Sequence, residues 1–517
     1  MEQRHLRLIC VAPDNVDDGT TISRQQRETM KVQTKRRITD LFRTEAANVT
    51  CDRIVCPESI EDLAKELRAS TAKHIVVVGG GHSQLCTRTG ALVIDLKHSH
   101  TFSKVEVVQP QQEDEVEADN YSPIVEMGGG ANLERVAAAL KGSGYSVPIG
   151  THPTVGAGLV LQGGIGFLTR QFGLTVDAIV GAEIVDNTGK LWSVSKENDD
   201  AFHRDLLWAL KGAGNQVGGV VTKIKLKTFP TEDMWMERVL LRASSVESLA
   251  RHLAAAWKIA LDLPHSDNLS LIISNLREKN VFNMYFVYTR AFVGEFDIES
   301  FEDSCTGRGF LLDKFKEVDG LILEEVIWKE EKRRSYNDTA GLLDIPLEHI
   351  NIDLGQKAPY VAIGHAFIGG HDFLAKASEI AKSISNQLAE VPNHLFGEIY
   401  FQQLGGAMRD VPPDATAFWN RSQTDFSTVI VCLCADDDNL EKSQRQAYAW
   451  TDSVGEVLAD IKMGTYSVDI LRQQDLDGLS GLSTKELLVE AYGDNWKKIE
   501  SVRSVLDPSG SMRPHDM

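Results

Sequence analysis

The sequence predicts an α+β protein of two domains, and three features predict it. At 517 residues the chain is too long for one ordinary hydrophobic core. Its first half is rich in glycine and carries short β-branched runs. From about Thr231 glycine thins out, and amphipathic helical patterns alternate with strand-like runs, as in an antiparallel sheet covered by helices. The expected divisions are a polar extension over residues 1–30, a first domain over 31–230, a second over 231–464 and a C-terminal segment over 465–517.

In chain order, Thr34–Thr44 reads as a short helix, and Ile54-Val55-Cys56 as a strand stopped by Pro57. Ser59 with an acid three residues on is a capping signature, and Ile60, Leu63, Ala64 and Leu67 form the helical stripe that follows. Ile75–Val78 has the composition of a buried strand; it stops at Gly79, Gly80 and Gly81 and is followed by His82 and Ser83. Leu92–Leu96 and Ile124–Met127 are further strands, the second ending at Gly128-Gly129-Gly130, and Leu133–Leu140 is a helix. Gly150–Gly166 is the most glycine-dense stretch. Ile179–Val185 and Leu191–Val194 read as a hairpin around Asp186-Asn187-Thr188-Gly189. A helix through Leu206–Leu210 and a strand at Val220–Leu226 close the first half. In the second half the helices are Val246–Ile259, Leu374–Leu388 and Leu440–Ile461, and the strands are Leu269–Ser274, Val281–Thr289, Glu398–Leu404 and Thr428–Cys434.

Apolar residues make up 42% and charged residues 25%, the balance of a folded protein, and a net charge of −20 argues against nucleic acid or an anionic membrane surface as partner. The seven cysteines (Cys10, Cys51, Cys56, Cys86, Cys305, Cys432 and Cys434) are too few and too scattered for a disulfide scaffold. Cys51 and Cys56 read as a pair of buried thiols or at most one bridge, and no His, Asp or Glu cluster has metal-ligand spacing. No apolar run suits a signal peptide or a membrane span, so the cytoplasm is the expected compartment.

The chemistry turns on what the glycines hold. A Rossmann site needs its glycines to open a helix directly, whereas here HSQLCTRTG leads to another strand. Nucleotidase P-loop, H-E-x-x-H and G-x-S-x-G patterns are absent. Two glycine-rich turns in one strand-rich domain remain, and together their backbone N–H groups can wrap the pyrophosphate of a large dinucleotide. The plainer alternative is that they only make tight turns in a packed sheet.

The stretches GGGHS, GGGANLERV, THPTVGAGLVLQGGIGFLTRQFGLTVDAIVGAEIVDNTGKL and DLLWALKGAGNQVGGVVT, in that order, resemble the FAD-binding domain of the p-cresol methylhydroxylase/vanillyl-alcohol oxidase (PCMH/VAO) superfamily. Within it they resemble the berberine-bridge-enzyme-like oxidoreductases. LGGAMRDVPPDATAFWNR is similar to that family's substrate-domain signature, and YGDNWKKIESVRSVLDP to its C-terminal berberine-type segment, which returns to the FAD domain.

The resemblance implies a PCMH/VAO-type fold with FAD between the halves of the first domain and the second domain roofing the flavin ring. Residues 31–230 become the FAD-binding domain and 231–464 the substrate domain. Gly79, Gly80, Gly81, Ser83, Thr154, Gly156, Gly158, Gly163, Gly164, Gly166 and Val220 are the implied cofactor contacts. His82 matches the histidine that bonds covalently to the flavin 8α-methyl, a step suited to a neutral imidazole near pH 7. His152 stands where doubly linked members have cysteine, so a second link is not expected, and Val155 matches the gate that admits oxygen to the flavin. Two departures stand out. Val78 replaces the usual arginine before the glycine loop, and Tyr466-Ser467-Val468-Asp469 replaces the usual Tyr-x-Asn-Tyr element. Tyr466, Asp469 and Tyr400 are therefore the candidates for the catalytic base.

The function expected is that of an FAD-dependent oxidoreductase of the oxidase type, with His82-linked flavin, a small organic substrate of specialised metabolism and O2 as acceptor. The alternatives are a dehydrogenase using another acceptor, a cyclase in which FAD is only a scaffold, and a flavin-free binding protein.

Overall fold

The computed structural model describes residues 37–38, 40–42, 44–109, 122–198, 200–231, 233–276, 278, 280–292, 309–339, 341–343, 360–434, 439–472 and 483–515. The polar extension expected over residues 1–30, with Cys10, and Cys305 lie outside the described residues.

Strands β1 (Arg53–Val55), β2 (Ile75–Val78) and β3 (Leu92–Asp95) form a small parallel sheet in the order β1–β3–β2. The helix Ile60–Ala69 joins β1 to β2; Ser59 caps it by accepting the Asp62 N–H at 3.1 Å, and Leu63, Ala64 and Leu67 are its buried face. Next come β4 (Val105–Val108), β5 (Ile124–Gly128), the two-residue β6 (Tyr145–Ser146), β7 (Ile179–Asp186), β8 (Leu191–Ser195), β9 (Gly219–Lys227) and the two-residue β10 (Phe229–Pro230). Five of them make an antiparallel sheet in the order β4–β5–β9–β7–β8, while β6 pairs with β10. The β7–β8 hairpin turns on Gly189, at φ +78°, where Asp186 Oδ1 accepts the N–H groups of Thr188 and Lys190.

The second half supplies β11 (Met234–Ala243), β12 (Asp267–Asn275), β13 (Phe282–Ala291), β14 (Glu325–Arg334), β15 (Tyr360–Gly369), β16 (Phe396–Gln403), β17 (Thr424–Cys434) and β18 (Lys462–Thr465). They form one antiparallel sheet in the order β14–β11–β13–β12–β16–β17–β15–β18. Alternation along the strands decides its two faces. Leu271, Ile273, Ile399 and Phe401 pack under the helices Val246–Asp262, Phe373–Ala389 and Leu440–Leu458. Ile272, Tyr285 and Val431 share a core with Leu133, Val160 and Leu174 of the first half. The sheet is thus a roof with one dry side and one side turned toward the glycine-rich half.

Two buried arginines fasten that roof. Arg170 donates to the carbonyls of Leu263 (2.8 Å), Asp267 (2.7 Å) and Leu404 (2.7 Å). Arg421, with no exposed surface on its side chain, pairs with both oxygens of Asp177 at 2.6 and 3.0 Å. The similarity of Leu404–Arg421 to a substrate-domain signature therefore has a structural content here, because both ends of the segment meet the first half.

Several expectations shift. Over its described residues, the helix expected at Thr34–Thr44 is an irregular strap, and helix begins only at Thr44. The reason is competition from outside the segment: Phe42 N–H donates to Gly81 O at 2.9 Å, and Asp40 Oδ2 accepts from Lys97 Nζ and His98 Nε2, each at 2.9 Å. The Asp40 carboxyl is held well below the usual range, first by the His98 hydrogen bond. His98, bonded to Asp40 and then Asp95, is raised to about 9. Strand β14 was not expected because EVIWKEEKRR is an edge strand that carries charged side chains on both faces and has no fully buried residue. None of the five described cysteines forms a disulfide, and burial pushes the Cys56 thiol up to about 12. Among the described residues, no helix is long and apolar enough to cross a membrane.

One buried acid on the dry side is set for a pH test. Glu237 on β11 has no exposed surface, accepts the Leu311 N–H at 2.9 Å and stands opposite Glu331 of β14. Burial, with repulsion from Glu331, raises it to about 7. Its folded-state value lies above its unfolded one, so stability falls as pH rises from about 4.5 to about 7 and the carboxylate is forced to ionise. Glu237→Gln, followed by thermal unfolding across that range, should lose this part of the pH dependence and exceed the wild type at pH 8; an unchanged profile would show that Glu237 ionises without cost.

Candidate cofactor site

The site begins where β2 ends. Gly79, Gly80 and Gly81 carry the chain off the sheet, with Gly81 at φ +77°. Ser83 accepts the Leu85 N–H and caps the short 3₁₀ turn Gln84–Cys86. The helix Leu133–Leu140 is capped by Asn132, and its first N–H groups take the carbonyls of Pro153 (2.8 Å) and Val155 (2.9 Å). That helix end fixes the Pro153–Gly156 turn in place.

These two turns meet backbone to backbone. A Cβ on Gly80 would lie 2.4 Å from Gly156 N, and one on Gly156 would lie 2.6 Å from Gly80 Cα. A Cβ on Gly79 would lie 2.9 Å from Gly129 O. Here glycine is required by proximity, since any side chain would drive the two segments apart. Beside the contact opens a cavity of about 390 Å³. Its wall takes in Gly79, Gly80, Gly81, His82, Ser83, His152, Val155, Gly156 and Gly158, together with Tyr466.

The other expected contacts lie elsewhere. Thr154 is one bond behind the wall, with its Oγ1 2.5 Å from His82 Nε2 and 3.2 Å from His152 Nδ1. Gly163, Gly164 and Gly166 do not line the cavity: Cβ atoms there would strike Tyr466 Oη at 2.7 Å, Thr175 Oγ1 at 2.0 Å and Ile149 O at 1.9 Å. They are packing glycines. Val220 is buried in the small-sheet core, while its neighbour Val221 faces the cavity. Tyr466 reaches the wall, accepts the Gly164 N–H at 3.0 Å and is 4% exposed. Tyr400 is on β16, its hydroxyl donating to Glu398 at 2.9 Å, one strand repeat from the wall residue Gln402. Asp469 ends the 3₁₀ turn Ser467–Asp469, and its side chain lies outside the described residues.

Residues absent from the expected set complete the wall. Gly214, Asn215, Gly218 and Gly219 belong to GAGNQVGG, a third glycine cluster whose signal was visible in the sequence. Gln402 and Ser427, register partners on β16 and β17, bring the roof to the cavity. Met512 and Pro514 bring the C-terminal tail, docked by Ser511 O accepting the Ile75 N–H at 2.7 Å. Arg472 ties that tail to the glycine loop, donating to Pro514 O, Leu85 O and Thr87 O.

The chemistry of this wall fits a dinucleotide flavin. Bare backbone at Gly79–Gly81 and Gly156–Gly158 suits a pyrophosphate, and a Cβ on Gly158 would meet nothing within 4 Å. At the other end, Ser427 Oγ is buried without a hydrogen-bond partner, as is Ser274 Oγ and the side-chain amide of Asn283, all on the roof face turned to the first half. Phe42 stacks flat on His82, with centroids 4.2 Å apart and planes at 14°. Among the described residues, no group of three or more His, Cys, Asp or Glu side chains could hold a metal ion.

The cradle's packing is testable apart from binding. Gly156→Ala should cost about 1–3 kcal/mol of stability, read from denaturant unfolding, because a methyl group has no room against Gly80. Gly158→Ala should leave stability unchanged and weaken only FAD retention; equal stability of the two variants would remove the backbone contact from the account.

Comparison with known proteins shows what the chain is similar to. The FAD binding domain family matches residues 51–195. Berberine bridge enzyme-like 28 of Arabidopsis thaliana is 22% identical over 476 residues, 88% of this chain and 82% of that protein. (R)-6-hydroxynicotine oxidase of Paenarthrobacter nicotinovorans is 30% identical over 197 residues, 37% of this chain and 39% of that protein. The solved structure of berberine bridge enzyme from Eschscholzia californica superposes with a TM-score of 0.67 at 20% identity, covering 90% of this chain and 89% of that one. The fold and the cradle agree with these relatives: the chain carries an FAD binding domain over residues 51–195, is an FAD-linked oxidoreductase, and over most of its length is similar to berberine bridge enzyme-like proteins.

Proposed function

We propose that this FAD-dependent oxidoreductase is an oxidase that carries its flavin covalently on His82 and oxidises a small organic substrate under the roof sheet. The observation that carries the reading is that His82, Val155 and Tyr466 line one cavity together with Gln402 and Ser427 of the roof sheet. When bound there, FAD supplies the two-electron acceptor for a C–H or CH–OH bond and returns those electrons to O2.

The chain's own residues divide the remaining work. The glycine turns bind the pyrophosphate, and His82, held flat by Phe42, fixes the ring end. Val155 is small enough to leave a path for O2 beside the ring. Tyr466, anchored by the Gly164 N–H and packed by Phe367 (5.3 Å between centroids), orients the substrate. Tyr400, already bonded to Glu398, stands on the roof face to take the proton the substrate releases, with the carboxylate as its acceptor. The unpartnered Ser427, Ser274 and Asn283 polar atoms extend along that face and favour a substrate with oxygen functions of its own.

Two experiments need no knowledge of the substrate. Acid-precipitated wild type should stay yellow, and His82→Ala should give a colourless pellet; a colourless wild-type pellet refutes the linkage. Chemically reduced holoenzyme mixed with aerated buffer should reoxidise rapidly, and Val155→Leu should slow it about tenfold, or ~1.4 kcal/mol of barrier. Slow reoxidation of the wild type would instead assign a dehydrogenase.

A further inference from the structure

We propose that the substrate is a carboxylic acid, and that Ser274, Asn283 and Arg242 hold its carboxylate on the roof face about 8 to 12 Å from Tyr400. The proposal rests on the reading that oxidation takes place under the roof sheet beside Tyr400, and names the substrate class for that site.

Four side chains stand in one line across adjacent strands. Arg242 of β11 is opposite Asn283 of β13, Asn283 is opposite Ser274 of β12, and Ser274 is opposite Glu398 of β16. Directly opposite residues share a face, so all four point the same way. Their neighbours decide which way that is. Leu241, Met284, Ile273 and Ile399 pack under the helices, so the line faces the first half, as Ile272 and Tyr285 do.

Three of the four are unspent. Ser274 and Asn283 have no exposed surface, and neither Ser274 Oγ nor either polar atom of the Asn283 amide meets a hydrogen-bond partner. Arg242 Nε is buried and unmet as well. A folded core keeps its buried polar groups matched, since each one left unmet forfeits its hydration. On the same face Arg238, four residues back on β11, is engaged: it donates to Tyr285 Oη at 2.6 Å and to Glu330 at 3.0 Å. The contrast marks the line as a place whose partner is a ligand.

The unspent atoms decide the ligand. Both ends of the Asn283 amide are unmet, so its N–H donors are free whichever way it is turned. With the Ser274 hydroxyl and the Arg242 N–H they offer three donors to the two oxygens of one carboxylate, and the guanidinium supplies the balancing charge. A neutral polyol would match the hydrogen bonds and leave that charge unanswered. Glu398, at the other end of the line, accepts from the Tyr400 hydroxyl at 2.9 Å and repels a second carboxylate, so the acid lies toward Arg242. Glu325, opposite Arg242 on the edge strand β14, is exposed to water, which screens it. Arg242 itself is partly exposed and opens the line to solvent.

The line also sets a length. Tyr400 is one strand repeat from Glu398, about 7 Å, and Ser274 and Asn283 are one and two strand spacings across, about 5 and 10 Å. The carbon oxidised beside Tyr400 and the carboxylate are therefore about 8 to 12 Å apart.

The test uses the full-length holoenzyme under nitrogen and reads binding without turnover. The probe is 4′-hydroxybiphenyl-4-carboxylate, a rigid acid of this reach, against its primary amide, which has the same shape and no charge. By calorimetry the wild type should bind the acid about tenfold more tightly than the amide, and the acid should shift the flavin absorption band. Arg242→Gln should bring the two affinities together. Ser274→Ala and Asn283→Leu should weaken acid binding yet melt no lower than the wild type, because each removes an unmet polar group. Equal wild-type affinity for acid and amide, or a preference that survives Arg242→Gln, would overturn the proposal. A lower melting temperature for both Ser274→Ala and Asn283→Leu would overturn it too, by making those side chains structural. Acid binding with no change in the flavin band would overturn the reach from Tyr400. A dehydrogenase, or a flavin held without a covalent bond, would leave all these results in place, so the acid site and the oxidase reading fail separately.

Discussion

The backbone approach of Gly80 to Gly156 is the contact on which the rest of the molecule depends. It brings a turn leaving the small parallel sheet against a turn held by the helix Leu133–Leu140, with Cα and N atoms where side chains would otherwise stand. Because no side chain intervenes, both turns line the same cavity with bare backbone. The same approach sets His82 beside Thr154 and His152, three residues from two segments that would otherwise be unrelated. The three proposed roles, a flavin-bonding histidine, an anion cradle and an oxygen gate at Val155, all rest on this one close contact.

The roof follows a second constraint. An eight-stranded sheet has two faces, and only one can be covered by its own helices. The other must be covered by the first half, and the buried Arg170 and Arg421 set the register of that meeting through carbonyls and Asp177. Burying a guanidinium is costly unless its donors are met, so these pairs specify one docking geometry more than they add net stability. That geometry is what carries Gln402, Ser427 and Tyr466 to the cavity end.

Much of this was legible in the sequence where the signal is local. Ser59 and Asn132 cap their helices, Asp186–Gly189 turns the hairpin, and the amphipathic helices of the roof fall within a few residues of their expected spans. The glycine clusters announced the cradle, but composition alone did not separate Gly158, open to the cavity, from Gly163, Gly164 and Gly166, which are pressed against Tyr466, Thr175 and Ile149. That distinction depends on what packs against each glycine from far along the chain. The same limit hid Met512 and Pro514, which carry no local motif and reach the cavity only because the tail docks on β2. Strand β14 was hidden by its charge, since an edge strand needs no apolar alternation. The strap at Asp40–Phe42 read as helix because its partners Gly81, Lys97 and His98 are remote in sequence.

The central claim is that two glycine turns in contact make one flavin site whose ring end is at His82. A crystal structure of the protein with FAD tests it most directly. The account predicts the pyrophosphate between Gly79–Gly81 and Gly156–Gly158, with continuous electron density from the ring methyl to a His82 nitrogen and Tyr466 on the far side of the ring. A flavin whose ring end lies away from His82, or a pyrophosphate bound by only one of the two turns, would contradict it.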